Sequence, residues 1–108
     1  MGSPRLSRLE SSALATFATV VRARFGERVR SLRLFGSRAR GEGHEDSDLD
    51  VHVLLDGMTR EERRALQDAA YDVSEEFHVI VSPLVASADA WRLDAPIARA
   101  IATDGVPL

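Results

Sequence analysis

The chain contains no cysteine. That absence removes disulfides, thiolate nucleophiles and zinc–sulfur sites from consideration. No apolar run approaches the ~18–20 residues that a membrane-spanning helix needs. The first residues also lack the apolar core of a secretory signal, so a cytoplasmic location without membrane association is expected. A surplus of positive charge is missing as well. Lys and Arg number 14 against 17 Asp and Glu, for a formal net charge of −3. Such a chain does not attract nucleic acid as a whole, and strong nucleic-acid binding is not expected; any phosphate it handles must be met by local charge. Repeats and low-complexity segments are absent too.

What remains is the composition of an ordinary globular protein, 44% hydrophobic and 29% charged. Its 108 residues are enough for a single domain, 1–108, and too few for a separate substrate domain. Charge is unevenly spread. Arg22, Arg24, Arg28, Arg30, Arg33, Arg38 and Arg40 crowd the first half, and Glu42, Glu45, Asp46, Asp48 and Asp50 follow directly. A basic stretch beside an acidic one suits a metal-bound polyphosphate, and equally suits a solvated surface.

Apolar residues Leu6, Leu9, Ala13, Phe17, Val20 and Val21 recur at helical steps, which predicts an amphipathic helix from about Leu6 to Phe25, stopped by Gly26. Val29 to Phe35 reads as a strand, with Leu32 and Leu34 on one face. A polar, glycine-containing loop, Gly41 to Asp46, leads to a second strand over Ser47–Leu55. Thr59 and Glu62 form a capping box for a helix carrying Leu66, Ala69, Ala70, Val73 and Phe77. His78 to Val85 is expected to be a third strand. Ser87 is a candidate cap for a last helix holding Trp91, Ile97, Ala98 and Ile101, interrupted near Pro96 and ended by Gly105. The expected fold class is α/β (α+β): a small mixed β-sheet with helices packed on one face.

The segment Ser47-Asp48-Leu49-Asp50-Val51 is the most informative. Strand alternation sends Asp48 and Asp50 one way and Leu49, Val51 and Val53 the other, with the two acids ~6–7 Å apart. Side-by-side carboxylates repel. A divalent cation compensates that cost directly, and Mg²⁺ takes one or two carboxylates together with waters and phosphates; a solvated strand end would also tolerate the pair. Upstream, Leu34-Phe35-Gly36-Ser37 puts a glycine and a hydroxyl where a strand ends. Unpaired N–H groups at such a bend can cradle a phosphate that glycine lets approach closely.

The run Gly36-Ser37-Arg38-Ala39-Arg40-Gly41, followed by Ser47-Asp48-Leu49-Asp50-Val51, resembles the signature of the minimal nucleotidyltransferase (MNT) family, within the DNA polymerase beta-like nucleotidyltransferase superfamily. The likeness is densest over 34–55. It implies a nucleotidyltransferase fold and a nucleoside triphosphate, ATP by preference, gripped at Gly36 and Ser37. It further implies Mg²⁺ (or Mn²⁺) held by Asp48, Asp50 and a third carboxylate, with Arg40 near the phosphates. Asp48 and Asp50 would thus be both the metal ligands and the catalytic residues. The family's third acid comes from the next strand, where Ile80 stands at about the expected place and His78 and Ser82 share its parity. Glu75 and Glu76 end the preceding helix. That departure puts catalysis in more doubt than binding of the Mg-nucleotide.

His52 shares the parity of Asp48 and Asp50; it could orient a carboxylate or touch the base, though a packed core-edge histidine is the commoner case. His44 falls in the glycine loop, where solvation is expected. Trp91 reads as core or interface packing. The resemblance implies transfer of AMP from ATP to a hydroxyl of a partner protein, in the manner of an antitoxin acting on a helical HEPN-type partner. The alternative is a catalytically weakened module that binds nucleotide or neutralises its partner by contact. A homo-oligomer is compatible with either.

Overall fold

The computed structural model describes residues 4–43 and 47–108; the expected solvated position of His44, with Glu45 and Asp46, lies outside the described residues. Helix α1 (Arg8–Phe25) is opened by a capping box in which Ser7 Oγ accepts from Glu10 N–H and the Glu10 carboxylate accepts from Ser7 N–H. A 3₁₀ turn, Gly26–Arg28, leads into β1 (Val29–Phe35). The remaining elements are β2 (Leu49–Leu55), α2 (Arg60–Phe77), β3 (Val81–Ser87), α3 (Pro96–Asp104) and β4 (Val106–Pro107).

The four strands form one sheet in the order β3-β2-β1-β4. Strand β1 is antiparallel to both β2 and β4, while β2 and β3 run parallel. Parallel neighbours need a crossover, and α2 supplies it. The expected fold class therefore holds: a mixed sheet with the two long helices over one face.

Alternation explains which face is covered. Leu49, Val51, Val53 and Leu55 of β2 are fully buried, together with Leu32 and Leu34 of β1. Against them pack Ala13, Leu14, Phe17, Val21 and Phe25 of α1 and Leu66, Ala70 and Val73 of α2. At ~1.5–3 kcal/mol for each large apolar side chain removed from water, this layer supplies the main drive to fold. Leu9 and Val20, expected on the stripe of α1, are exposed; the stripe runs instead through Ala13-Leu14, Phe17-Ala18, Val21 and Phe25. The shorter α3 lies against the other face. Its Ala98 and Ile101 are buried and share a hollow with Ser31, Arg33, His52 and Leu54.

Several boundaries differ from the sequence reading, and the second strand begins at Leu49 rather than Ser47. The third strand starts at Val81 rather than His78, because His78 adopts a left-handed conformation (φ 56°) and caps α2 by donating its N–H to Ser74 O. Ser74 Oγ then accepts the Val81 N–H. Ser87 ends β3 rather than capping a helix, and its hydroxyl bonds Asp89. Pro96 opens α3 at its first position instead of interrupting it, where a missing N–H costs nothing. The capping box at Thr59 and Glu62 is present as expected.

Candidate functional site

Strand β1 ends at Phe35, which pairs with Asp50 of β2. The next residue, Gly36, has φ 80°, a conformation that glycine adopts without strain. Its missing side chain also leaves room for the acid. A Cβ at Gly36 would stand 2.8 Å from Asp50 Oδ2. The bend after β1 and the second acid of the pair thus share one place.

The chain then folds into a compact turn. Gly36 O accepts from the N–H groups of Ala39 and Arg40, and Ser37 O accepts from those of Arg40 and Glu42. The Ser37 hydroxyl lies inside this wrap: a Cβ at Gly43 would be 3.2 Å from Ser37 Oγ, from Ser47 Oγ and from Arg38 Cδ alike. Below the turn, Arg38 is buried and ion-paired to Glu10 at 2.7 Å, the two side chains being 5% and 3% exposed. Its guanidinium also donates to Arg5 O and Ser47 O. One arginine therefore ties the bend, the approach to β2 and the start of α1 together. Burial pushes the Glu10 carboxyl up, but hydrogen bonds from Arg38 and from Ser7 N–H outweigh it and hold the group below its ordinary value. Sequence reasoning missed this pair; the Ser7-to-Glu10 capping-box spacing was the signal available.

Asp48 is exposed just before β2, and Asp50 is half-buried within it. Leu49 and Val51 point to the core, so Asp50 lies on the opposite face, with the Asp48 charge near enough to act on it. Burial raises the Asp50 carboxyl above its ordinary value, and the nearby Asp48 charge raises it further. This is the like-charge cost foreseen for the pair. Two oxygen donors under mutual repulsion suit a hard divalent cation that also takes phosphate oxygens.

The sheet register fixes what stands beside the acids. Ser82 pairs across from Asp50, whereas Ile80 precedes β3, accepts from Leu49 N–H and is 54% exposed. His78 caps α2 and has left the strand altogether. The residue level with Asp50 is thus a serine, and Ile80, one alternation earlier on the chain, also carries no carboxylate. Among the described residues, no group of three or more His, Cys, Asp or Glu side chains could hold a metal.

Most of the arginine-rich stretch is committed within the fold. Arg28 forms a bidentate pair with Glu62 at 2.6 and 2.9 Å, Arg22 donates to Leu108 O, and Arg30 lies 4.0 Å from Asp56. Arg40, expected near the phosphates, faces Asp104 at 3.5 Å and Glu42 at 3.4 Å. The basic run is mainly a set of struts between elements.

On the acid-bearing face, one step along β2, His52 is 2% exposed. Its ring lies 4.4 Å from that of Trp91, tilted by 35°, and 6.5 Å edge-on from Phe35. Burial lowers its pKa, and the Arg33 charge lowers it further. Beside it is a hollow of about 200 Å³. A larger hollow, of about 450 Å³, lies between α2 and the start of β3 and is lined by Tyr71, Glu75, Ile80 and Pro83; Asp48 and Asp50 do not line it.

A family model, the nucleotidyltransferase domain, matches residues 14–92. The chain belongs to that family. It is 38% identical over 53 residues to "Putative protein adenylyltransferase MJ0141" of Methanocaldococcus jannaschii, a match covering 48% of this chain and 54% of the relative. The chain thus spans about half the length of the curated relative it matches. A solved structure described as a "putative minimal nucleotidyltransferase" superposes with a TM-score of 0.59 at 28% identity, covering 94% of this chain and 97% of that one. A structure of the toxin–antitoxin pair MntA-HpeT superposes with a TM-score of 0.59 over 96% of this chain and 72% of that one. Another, of a toxin–antitoxin with AMP-PNP, gives 0.58 over 84% and 68%. Both of these are 18% identical and speak to the fold alone. Among the described residues, no helix is long and apolar enough to cross a membrane.

Proposed function

We propose that this nucleotidyltransferase transfers AMP from ATP to a hydroxyl of a partner protein, with the whole of 1–108 acting as one catalytic domain. Asp48 and Asp50 would hold Mg²⁺ (or Mn²⁺), and Gly36 and Ser37 would receive the phosphates. The observation that carries this reading is the 2.8 Å approach between the empty side-chain position of Gly36 and Asp50 Oδ2. A phosphate entering at the bend meets the carboxylates at once.

The residues themselves suggest a division of labour. Gly36 leaves room for the Asp50 carboxylate to lie against the bend, so that a phosphate held by the bend is beside the acid. Ser37 offers a hydroxyl and a backbone N–H at the same bend. Asp50, half-buried, would orient the phosphate-bound cation, and the exposed Asp48 would face the incoming hydroxyl. Mg²⁺, when bound, neutralises phosphate charge and lowers the pKa of that hydroxyl. Arg40 would neutralise phosphate charge only after exchanging Asp104 and Glu42 for it.

A partner protein as acceptor is supported by the adenylyltransferase and toxin–antitoxin descriptions of its relatives. A HEPN-type helical protein is the partner proposed, with an antitoxin-like role in the cytoplasm. The second reading, a weakened module that binds nucleotide or its partner without transfer, is favoured by the serine opposite Asp50.

Incubation with Mg-ATP and the partner, followed by intact mass measurement, tests both. A gain of one AMP on the partner that disappears in Asp48→Asn and Asp50→Asn supports transfer. Partner binding that survives both substitutions, with no mass gain from the parent protein, supports the module and sinks the enzyme reading.

A further inference from the structure

The outer edge of β3 is closed to a further strand. Of the backbone groups that face away from β2, the Val81 N–H donates to Ser74 Oγ and Val85 O accepts from the Arg63 guanidinium. Pro83, between them, has no N–H to offer. A partner that meets this edge must therefore use side chains rather than extend the sheet. Between α2 and the start of β3 is the hollow of about 450 Å³, where Tyr71 and Ile80 are 65% and 54% exposed. Val79 and Pro83 continue its apolar lining. Single apolar residues are ordinary on a surface; gathered around one concavity they suit an interface.

The rim carries charge of one sign. Glu75 lines the hollow. A hydrogen bond to Glu75, with the Asp72 charge nearby, raises the Tyr71 hydroxyl above its ordinary value. Asp68, Asp72 and Glu76 follow one another at single-turn spacing along α2. The arginines of this helix, Arg60, Arg63 and Arg64, all lie near its start, and its last turn has no basic residue. Among the described residues, none of these four acids is ion-paired. A helix C-terminus is itself a negative end, so acids there gain from an outside cation.

Position joins this surface to the acid pair. Val81 pairs with Leu49, so Ile80 is level with Asp48, and Ile80 O accepts the Leu49 N–H at 2.8 Å. We propose that the hollow is the docking site for the partner protein, taking a segment that sets an apolar side chain beside Lys or Arg. The apolar group fills the space between Tyr71 and Ile80, and the cation meets Glu75 and Asp72. A segment seated there runs close to the exposed Asp48. The inference rests on the partner reading given above and adds where, and by what chemistry, the partner is held.

A short peptide of leucine and lysine, titrated into the isotope-labelled full chain and followed by backbone NMR, is the probe. Shifts should centre on Tyr71, Glu75 and 79–81. A glycine–lysine peptide has the charge without the apolar groups, and a leucine–glutamate peptide has the reverse charge; each should bind at least about tenfold more weakly. Ile80→Ser and Glu75→Lys change exposed side chains, so both should stay folded, weaken the leucine–lysine peptide about tenfold and leave Mg-ATP binding unchanged. Shifts centred elsewhere, or equal binding by the glycine–lysine peptide or by Ile80→Ser, overturn the docking site. In the mass assay given above, Ile80→Ser should raise the KM for the partner about tenfold and leave kcat and the KM for Mg-ATP unchanged; an unchanged KM for the partner overturns it as well. A parent protein that transfers no AMP sinks the transfer reading alone, and the peptide titration then decides the docking site by itself.

Discussion

Replacing Glu10 by Gln should cost this small fold a large part of its stability, although residue 10 is in a helix far along the chain from the signature motif. The Glu10 and Arg38 side chains are 3% and 5% exposed and meet at 2.7 Å. Gln keeps the size and one carbonyl acceptor but leaves the guanidinium charge buried without its counter-ion. Breaking a buried pair by removing one partner costs about 3–5 kcal/mol. The retained acceptor and the carbonyls of Arg5 and Ser47 put this case at the lower end, about 3 kcal/mol. At roughly 4 °C per kcal/mol for a domain of this size, the melting midpoint should fall by about 12 °C. Urea unfolding measures the free energy, and calorimetry the midpoint. A double-mutant cycle sharpens the claim: Glu10→Met with Arg38→Met should lose much less than the sum of the single changes, because no lone charge remains. A cost below about 1 kcal/mol for Glu10→Gln, or strict additivity in the cycle, would refute the buried-pair account. Because Arg38 stands inside the turn that follows Gly36, nucleotide affinity should fall in the single variants too.

Further expectations follow from other contacts. Gly36→Ala should cost about 1–3 kcal/mol through its positive φ and should push the Asp50 carboxylate aside, so that Mg-ATP binding measured by calorimetry is lost even in preparations that stay folded. The Glu62 carboxyl is held down at about 2 by hydrogen bonds from Arg28 and from Thr59 N–H. Its contribution is therefore complete above its ordinary value near 4.5 and is lost as pH falls toward about 2, so that Glu62→Gln should flatten the acid limb of a stability-against-pH curve. Thr59→Ala should remove about 1 kcal/mol through the lost cap of α2, read from urea unfolding. Ser82→Asp, which sets an acid across from Asp50, should raise Mn²⁺ affinity in a titration without nucleotide; no change would mean that Ser82 does not face the acid pair.

Much of this fold is legible in the sequence because short-range rules decide it. Strand alternation around Asp48 and Asp50 needs only local parity, and Thr59 with Glu62 announces a helix start by spacing alone. Gly36 is legible as a bend, but its contact with Asp50 follows from the β1–β2 register, which no local pattern states. The start of β3 differs from its local pattern for a similar reason. His78 reads as a strand residue by its neighbours, yet the backbone turns left-handed there to end α2, and β3 starts only at Val81. The charged residues were the least legible. Arg28, Arg38 and Arg40 look alike in sequence, and only tertiary packing assigns them to Glu62, Glu10 and Asp104. Trp91 and His52 lie far apart along the chain, and their meeting depends on the course of 88–95 across the sheet.

The roof that Trp91 and α3 make over part of the sheet also limits traffic. Among the described residues, the covered stretch begins at the level of His52, while Asp48 lies open to solvent. Under the proposed transfer, an acceptor would approach from the strand's entry end, where Asp48 is exposed, and not across the stretch that Trp91 and α3 cover.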